Sequence, residues 1–258
     1  MEFECIIYEK KDGVAIIRFN RPQVLNAMNR QLWTDLEAAL EDAKLDEGIK
    51  VVIITGEGRA FSTGADLKES KDRTLEQYRE YLENLQEVSR RIIRYPKPII
   101  AAVNGYALGS GYELALACDI RIAAESAKFG SPEAKVSSSV TGGAMRLLQD
   151  LVGPAKAKEL LFTCEFIDGK EAERIGLVNK VVPDDRLMEE AMAMAQKIAQ
   201  NSSFSIKVIK RGLELAKQAS LEALMDYEVE ACLACVFTKE RQERLEEFEK
   251  RKEKKGGG

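Results

Sequence analysis

At 258 residues, with 45% hydrophobic residues and a formal charge of −4, the chain has room for one large domain, or one domain with an appendage, around a sizeable core. The near-balanced charge argues weakly against a nucleic-acid partner, which usually meets a basic excess. No apolar run approaches a membrane span, and the opening MEFECIIYEKKDG lacks the basic-then-apolar pattern of a signal peptide, so a cytoplasmic location is expected.

Histidine is absent. That excludes a Ser-His-Asp triad, a Cys-His pair and histidine-ligated zinc, and leaves proton transfer to carboxylates, Lys, Tyr, Cys or water. The five cysteines (Cys5, Cys118, Cys164, Cys232, Cys235) are odd in number and mostly in apolar surroundings. Reduced thiols are expected. Cys232 and Cys235 have C-x-x-C spacing in a helical pattern without further ligands, so no metal site is expected.

In chain order, residues 2–8 and 14–19 predict a strand pair turned at Lys11-Asp12-Gly13, followed by a loop at Asn20-Arg21-Pro22. Leu32, Trp33, Leu36, Ala39 and Leu40 predict a helix over Arg30–Ala43. Val51–Thr55 reads as a buried strand, ended by Gly56 and Gly58, and Arg59–Asp66 as a loop. Thr74 and Gln77 form a capping box opening a helix that Pro96 and Pro98 stop. Ile99–Val103 is a buried strand broken by Gly105, Gly109 and Gly111. A helix from Gly111 to Cys118 carries Ser110 and Glu113 on one face of its first turn, where backbone N–H groups lack internal partners. Asp119–Ala123 is a strand, and Glu133 follows Gly130-Ser131-Pro132. Short helices are predicted at Gly142–Leu151, Ala155–Thr163 and Gly169–Ile175, and a strand at Leu177–Val182. After Pro183 the pattern is wholly helical: about 185–200, 204–217, 220–236 and 238–254. The last helix carries Glu246/Lys250 and Glu247/Arg251 pairs, and Gly256–Gly258 form a tail. The expected organisation is therefore an α/β core over 1–183, a right-handed stack of β-β-α turns, and a helical region over 184–258.

From pattern alone, Pro98–Glu133 is either a buried strand–helix unit with two surface acids or an oxyanion hole with two acid–base glutamates. The wording decides. NGYALGSGYELALACDIRIA followed by FGSPE, together with the upstream GRAFSTGADLKE (Gly58–Glu69), resembles the enoyl-CoA hydratase/isomerase, or crotonase, family. The resemblance runs from Arg21-Pro22 to the FEKRK near the C-terminus. It implies a crotonase-like spiral of β-β-α units whose C-terminal helical region packs subunits into trimers or hexamers.

The resemblance also implies an oxyanion hole made by the N–H groups of Ala65 and Ser110, with Glu113 and Glu133 as the paired catalytic acids. It places Asp66, Leu67 and Lys68 beside the adenine and pantetheine of coenzyme A. Val24, Leu25 and Ala27 line the pantetheine channel or, equally, pack in the core. The helix from Thr74 and the serine run are expected to shape the acyl pocket. Gly109-Ser110-Gly111 fits neither a dinucleotide fingerprint nor a P-loop. The implied activity is addition of water across the 2,3-double bond of an acyl-CoA thioester, with no metal or redox cofactor, coenzyme A being part of the substrate. A double-bond isomerase is the nearest rival. A hydrolase, a cyclic-acyl-CoA hydratase and a catalytically silent binding or assembly protein follow. One departure bears on the reaction: where the family's hydratases carry Pro-Gly-x-Gly-Gly, Ser137–Gly143 lacks the Pro and is one residue shorter.

Overall fold

The computed structural model describes residues 2–69 and 73–246. Strands β1 (Ile6–Lys11) and β2 (Val14–Phe19) form an antiparallel hairpin. Asp12 and Gly13, both at positive φ, make its two-residue turn. Helix α1 (Arg30–Leu45) is capped by the Asn29 side chain, which accepts from the Leu32 N–H, and buries Leu32, Leu36, Ala39 and Leu40. Strand β3 (Val51–Gly56) is buried throughout and leads into β4 (Ala60–Ser62), then α2 (Leu75–Ile93). The Thr74/Gln77 capping box is formed.

Two further strand–strand–helix turns follow. β5 (Ile99–Val103), β6 (Tyr106–Leu108) and α3 (Ser110–Ala117) make one. β7 (Ile120–Ala124), β8 (Lys128–Gly130) and α4 (Ala144–Thr163) make the next. Within α4, Gly153 at φ 78° and ψ 160° breaks the helical path before Pro154, so the two expected helices abut at a kink. The chain continues with β9 (Ile167–Asp168), α5 (Gly169–Arg174), β10 (Lys180–Val182) and α6 (Leu187–Ala199).

Each turn sends its first strand to one sheet and its second to another. The large sheet has the order β1-β2-β3-β5-β7-β10 and is parallel from β2 onward; the small sheet has the order β4-β6-β8-β9, parallel except for β9. This is the expected α/β spiral. The Arg59–Asp66 loop and the Gly105–Gly111 break contain the short strands β4 and β6. Strands this short show no period in a sequence, and only their parallel neighbours define them.

The core lies between the large sheet and the helices. β3 and β5 are buried along their whole length, and apolar but for Thr55, because both faces are covered. Arg121 of β7 is 4% exposed; its Nε–H donates to the Leu177 carbonyl (2.8 Å) and its Nη1–H to those of Cys118 (2.6 Å) and Ala115 (3.2 Å). The buried cation therefore anchors the C-terminal end of α3.

The chain divides into two compact units, one ending at Ile198 and the other beginning at Ala199. Helix α6, which buries Leu187, Ala191 and Ala195, falls in the first unit, beyond the boundary expected at Pro183. The second unit contains α7 (Ser203–Ala216) and α8 (Leu221–Val236), joined by a bond from Tyr227 Oη–H to the Val208 carbonyl (2.8 Å), and helical residues 239–246. The Glu246/Lys250 and Glu247/Arg251 pairs and Gly256–Gly258 lie outside the described residues. Among the described residues no helix is long and apolar enough to cross a membrane, and no cluster of metal-ligating side chains occurs.

Gly111 marks a close joint of the spiral. A Cβ there would fall against the Ser62 carbonyl and 2.7 Å from Ser62 Cβ. Gly111→Ala is expected to lose about 1–3 kcal/mol of stability, read as a lower urea midpoint.

Candidate active site

Three loops leave the C-terminal ends of the parallel strands of the small sheet, where open parallel sheets place their ligands. Ala65 follows β4, Ser110 follows β6 and Glu133 follows β8.

The first loop is fixed by buried polar bonds. Asn26, fully buried with φ 56°, donates from Nδ2 to the carbonyls of Glu57 (3.0 Å) and Ala60 (2.7 Å), and its Oδ1 accepts from the Arg21 N–H (2.9 Å). Ser62 Oγ–H donates to the Asn26 carbonyl (2.8 Å) and accepts from the Gly64 N–H (3.1 Å). Met28 bridges Ala65 in parallel: its N–H donates to Gly64 O (2.7 Å) and its carbonyl accepts from the Asp66 N–H (3.1 Å). That pattern turns the N–H of Ala65 itself away from Met28. Arg21 closes the loop with an Nη1 bond to the Ala27 carbonyl and a 3.0 Å ion pair with Asp66.

Gly64 (φ 92°) and Gly109 (φ 53°) let the second loop meet the first. A Cβ on Gly64 would lie 3.0 Å from Ser110 N and 2.9 Å from Leu108 O. Ser110 is the first residue of α3, so its N–H has no acceptor within the helix. Among the described residues neither the Ala65 nor the Ser110 N–H has a hydrogen-bond partner. The two unpartnered donors flank the close approach of Gly64 to Ser110.

Glu113, in the first turn of α3, is 4% exposed. The Thr141 N–H donates to its Oε1, and Thr141 Oγ1–H donates to its Oε2 (2.6 Å). Burial pushes the Glu113 carboxyl above its ordinary range, and the two Thr141 bonds offset that only in part. Gly142 (φ 59°) is required beside it: a Cβ there would lie 2.8 Å from Ser89 Oγ and 3.3 Å from Glu113 Cβ.

Glu133 opens a 3-10 turn after Pro132. Its Oε1 lies 3.1 Å from where a Gly109 Cβ would stand, so this carboxyl flanks the turn that presents Ser110. Its Oε2 is buried with no hydrogen-bond partner, as is Ser131 Oγ. Burial first, and the Glu113 charge second, push Glu133 up to about 7. Glu133 also lines a cavity of about 350 Å³ with Ser131, Ser138, Ser139, Val140 and Met145. The serine run thus shapes the space at Glu133. The helix from Thr74 lines a different cleft of about 550 Å³, between α1 and α2, which contains neither glutamate.

Ala65, Ser110, Glu113 and Glu133 therefore occupy one site. Val24, Leu25 and Ala27 lie against its first loop: Leu25 O accepts from the Thr63 N–H (3.1 Å), and Leu25 adopts φ 53°. Asp66 is paired with Arg21, while Leu67 and Lys68 are exposed in a 3-10 turn at its edge. Sequence reasoning missed Asn26, Ser62 and Thr141 as the groups that hold this site. Thr141 was visible only as part of the altered Ser137–Gly143 stretch.

The family model for enoyl-CoA hydratase/isomerase matches residues 9–256. The chain is 38% identical over 254 residues to a short-chain-enoyl-CoA hydratase of Clostridium acetobutylicum, covering 98% of this chain and 97% of that protein. It is likewise 38% identical to a crotonyl-CoA hydratase of Syntrophomonas wolfei, covering 98% of each. A crystal structure of an enoyl-CoA hydratase from Bacillus anthracis superposes with a TM-score of 0.93 at 36% identity, covering 96% of this chain and 97% of that one. The chain belongs to the enoyl-CoA hydratase/isomerase family.

The raised Glu133 carboxyl has a consequence for stability. Moving from 4.5 to about 7 on folding, it binds more protons in the folded than in the unfolded state between those values. Its stabilising contribution is full below pH ~4 and is lost as pH rises through 7. Glu133→Gln, which has no charge to bury, should exceed the wild type by about 1–2 kcal/mol at pH 8 and lose that advantage near pH 4, measured by urea unfolding at both values.

Proposed function

We propose that this protein hydrates 2-enoyl-CoA thioesters. The observation that carries the reading is a buried carboxylate held by Thr141 and a half-buried one with an unpartnered oxygen, beside two unpartnered backbone N–H groups. The thioester oxygen lies between the N–H groups of Ala65 and Ser110. Glu113, with both oxygens accepting bonds from Thr141, takes a proton from water as that water attacks C3. Negative charge develops on the thioester oxygen, where each N–H donor is worth about 2.7–4 kcal/mol in sites of this kind. Glu133, whose value near 7 keeps a protonated fraction available, delivers a proton to C2. Water and the enoyl thioester supply every atom and no electrons change hands, so the reaction as written calls for no cofactor.

The coenzyme A portion lies along the first loop, with Val24, Leu25 and Ala27 on one side and Asp66, Leu67 and Lys68 on the other. The chain after Pro183 serves subunit packing through α7 and α8. Neither of these helices buries a residue, and Met225, Val229, Leu233 and Val236 of α8 are exposed at helical spacing along one face.

Crotonyl-CoA should lose its enoyl thioester absorbance with wild type, and Glu113→Gln and Glu133→Gln should each reduce kcat roughly 10²–10⁴-fold. Because Glu133 must be protonated, kcat/KM should fall as pH rises through about 7. No hydration by wild type, with turnover of a 3-enoyl thioester instead, would replace the reading with an isomerase. Light scattering should give a trimer or hexamer, and Val229→Glu with Leu233→Glu should reduce that mass.

A further inference from the structure

Glu113 poses a problem that the catalytic reading alone does not solve. A side chain 4% exposed must be a carboxylate, in one orientation, before water arrives. The solution lies in the stretch that departs from the family pattern. Thr141 stands just ahead of α4, with its carbonyl accepting from the Ala144 N–H (2.9 Å), and Gly142 and Gly143 at φ 59° and 79° complete the entry to the helix. Its N–H is a loop amide, two residues ahead of the Gly143 cap, and it meets Glu113, which occupies the first turn of α3.

We propose that Thr141 is a positioning residue for this reaction: its amide and hydroxyl together clamp the two oxygens of Glu113, holding the base charged and in a single rotamer. Each oxygen keeps a second lone pair, so the clamp leaves room for the attacking water. A glycine could supply only the amide; the hydroxyl is a second donor belonging to this chain's side chain. The proposal rests on the reading of Glu113 as the base.

The other titratable groups around Glu113 are Glu133, from the loop after β8, and Tyr81 of α2, over whose ring the Arg73 guanidinium sits at 3.9 Å. Ser89 of α2 is a neutral neighbour. From β6 comes Tyr106, which is exposed, and Arg146 in the first turn of α4 is exposed and paired with Asp150 at 2.6 Å. Thr141 is thus the group that donates to both oxygens.

The test compares Thr141→Val, which keeps the branched shape and the N–H but loses the hydroxyl, with Thr141→Ser, which restores a hydroxyl. The readouts are kcat, KM and the pH profile of kcat/KM for crotonyl-CoA, with Glu113→Gln as reference. Bonds to the charged form hold the carboxyl down, so losing one raises it. Thr141→Val should move the acid limb of kcat/KM up by about one pH unit and lower kcat roughly 10-fold or more, with KM little changed. Thr141→Ser should return both close to wild type. Thermal unfolding and butyryl-CoA binding establish that the variants are folded; if Thr141→Val is not, Thr141→Ala replaces it.

A Thr141→Val enzyme with wild-type kcat and an unmoved acid limb overturns the proposal, as does one that only melts earlier. If instead Glu113→Gln still hydrates crotonyl-CoA, the assignment of Glu113 as base falls. The two failures are therefore distinct.

Discussion

The site depends on how closely two backbone segments can approach. The loop after β4 and the N-terminus of α3 meet at Gly64, Gly109 and Gly111, where side chains would collide with Leu108 O, Glu133 Oε1 and the Ser62 carbonyl respectively. Two of the three also have positive φ, which disfavours any residue with a Cβ. Removing side chains here does more than relieve crowding. It lets a free N–H at a helix start stand beside a free N–H at a strand edge. Neither donor depends on side-chain chemistry, so Ser110 serves as well as a glycine would. The specification lies in the neighbours: Gly64 and Gly109 set the approach, and Asn26 and Ser62 hold the loop against it.

The two glutamates show how one fold makes unlike groups from like side chains. Both are shielded from water, and each carries a negative charge when ionised. Glu113 is given donors: the Thr141 amide and the Thr141 hydroxyl. Glu133 is given none at Oε2 and feels Glu113 as a repelling charge. The first arrangement favours the carboxylate and the second the acid. An orphaned buried oxygen is ordinarily a cost to folding. At Glu133 it raises the carboxyl to about 7, and under the proposed reaction the stability forgone above that pH is the counterpart of a proton kept available.

Much of this was legible in the sequence, for identifiable reasons. β3, β5 and α1 announce themselves because burial on a sheet or a helix face leaves a period. The Thr74 capping box was readable because its two partners lie three residues apart. The small sheet was not. β4, β6 and β8 are each three residues long, and their pairing joins residues such as Ala60, Tyr106 and Lys128 that are far apart in the chain. Asn26 was hidden for the same reason, since its bonds to Glu57 and Ala60 span a loop. The glutamates stood out because the wording around them resembles a family. Thr141 did not, because it sits where that resemblance breaks.

The position of the site follows from the spiral. Each β-β-α turn advances the chain by one strand in each sheet, so the ends of β4, β6 and β8 come to lie side by side although their sequences are far apart. One end supplies Ala65, the next Ser110 and Glu113, and the last Glu133. The remaining component, Thr141, comes from the approach to α4, the helix that completes the same turn as β8. The loop from Glu133 to Gly143 therefore has two tasks. It must place an acid at its beginning and a clamp for the base at its end. Shortening it by a residue relative to the family pattern need not disturb the first task, since Glu133 follows β8 directly. The second falls to Thr141, which lies in the stretch that departs from the family pattern and donates to Glu113. Under the proposed reaction, the chemistry is set by strand ends common to the fold and adjusted in one loop, where the Thr141 hydroxyl adds a donor to that of its own amide.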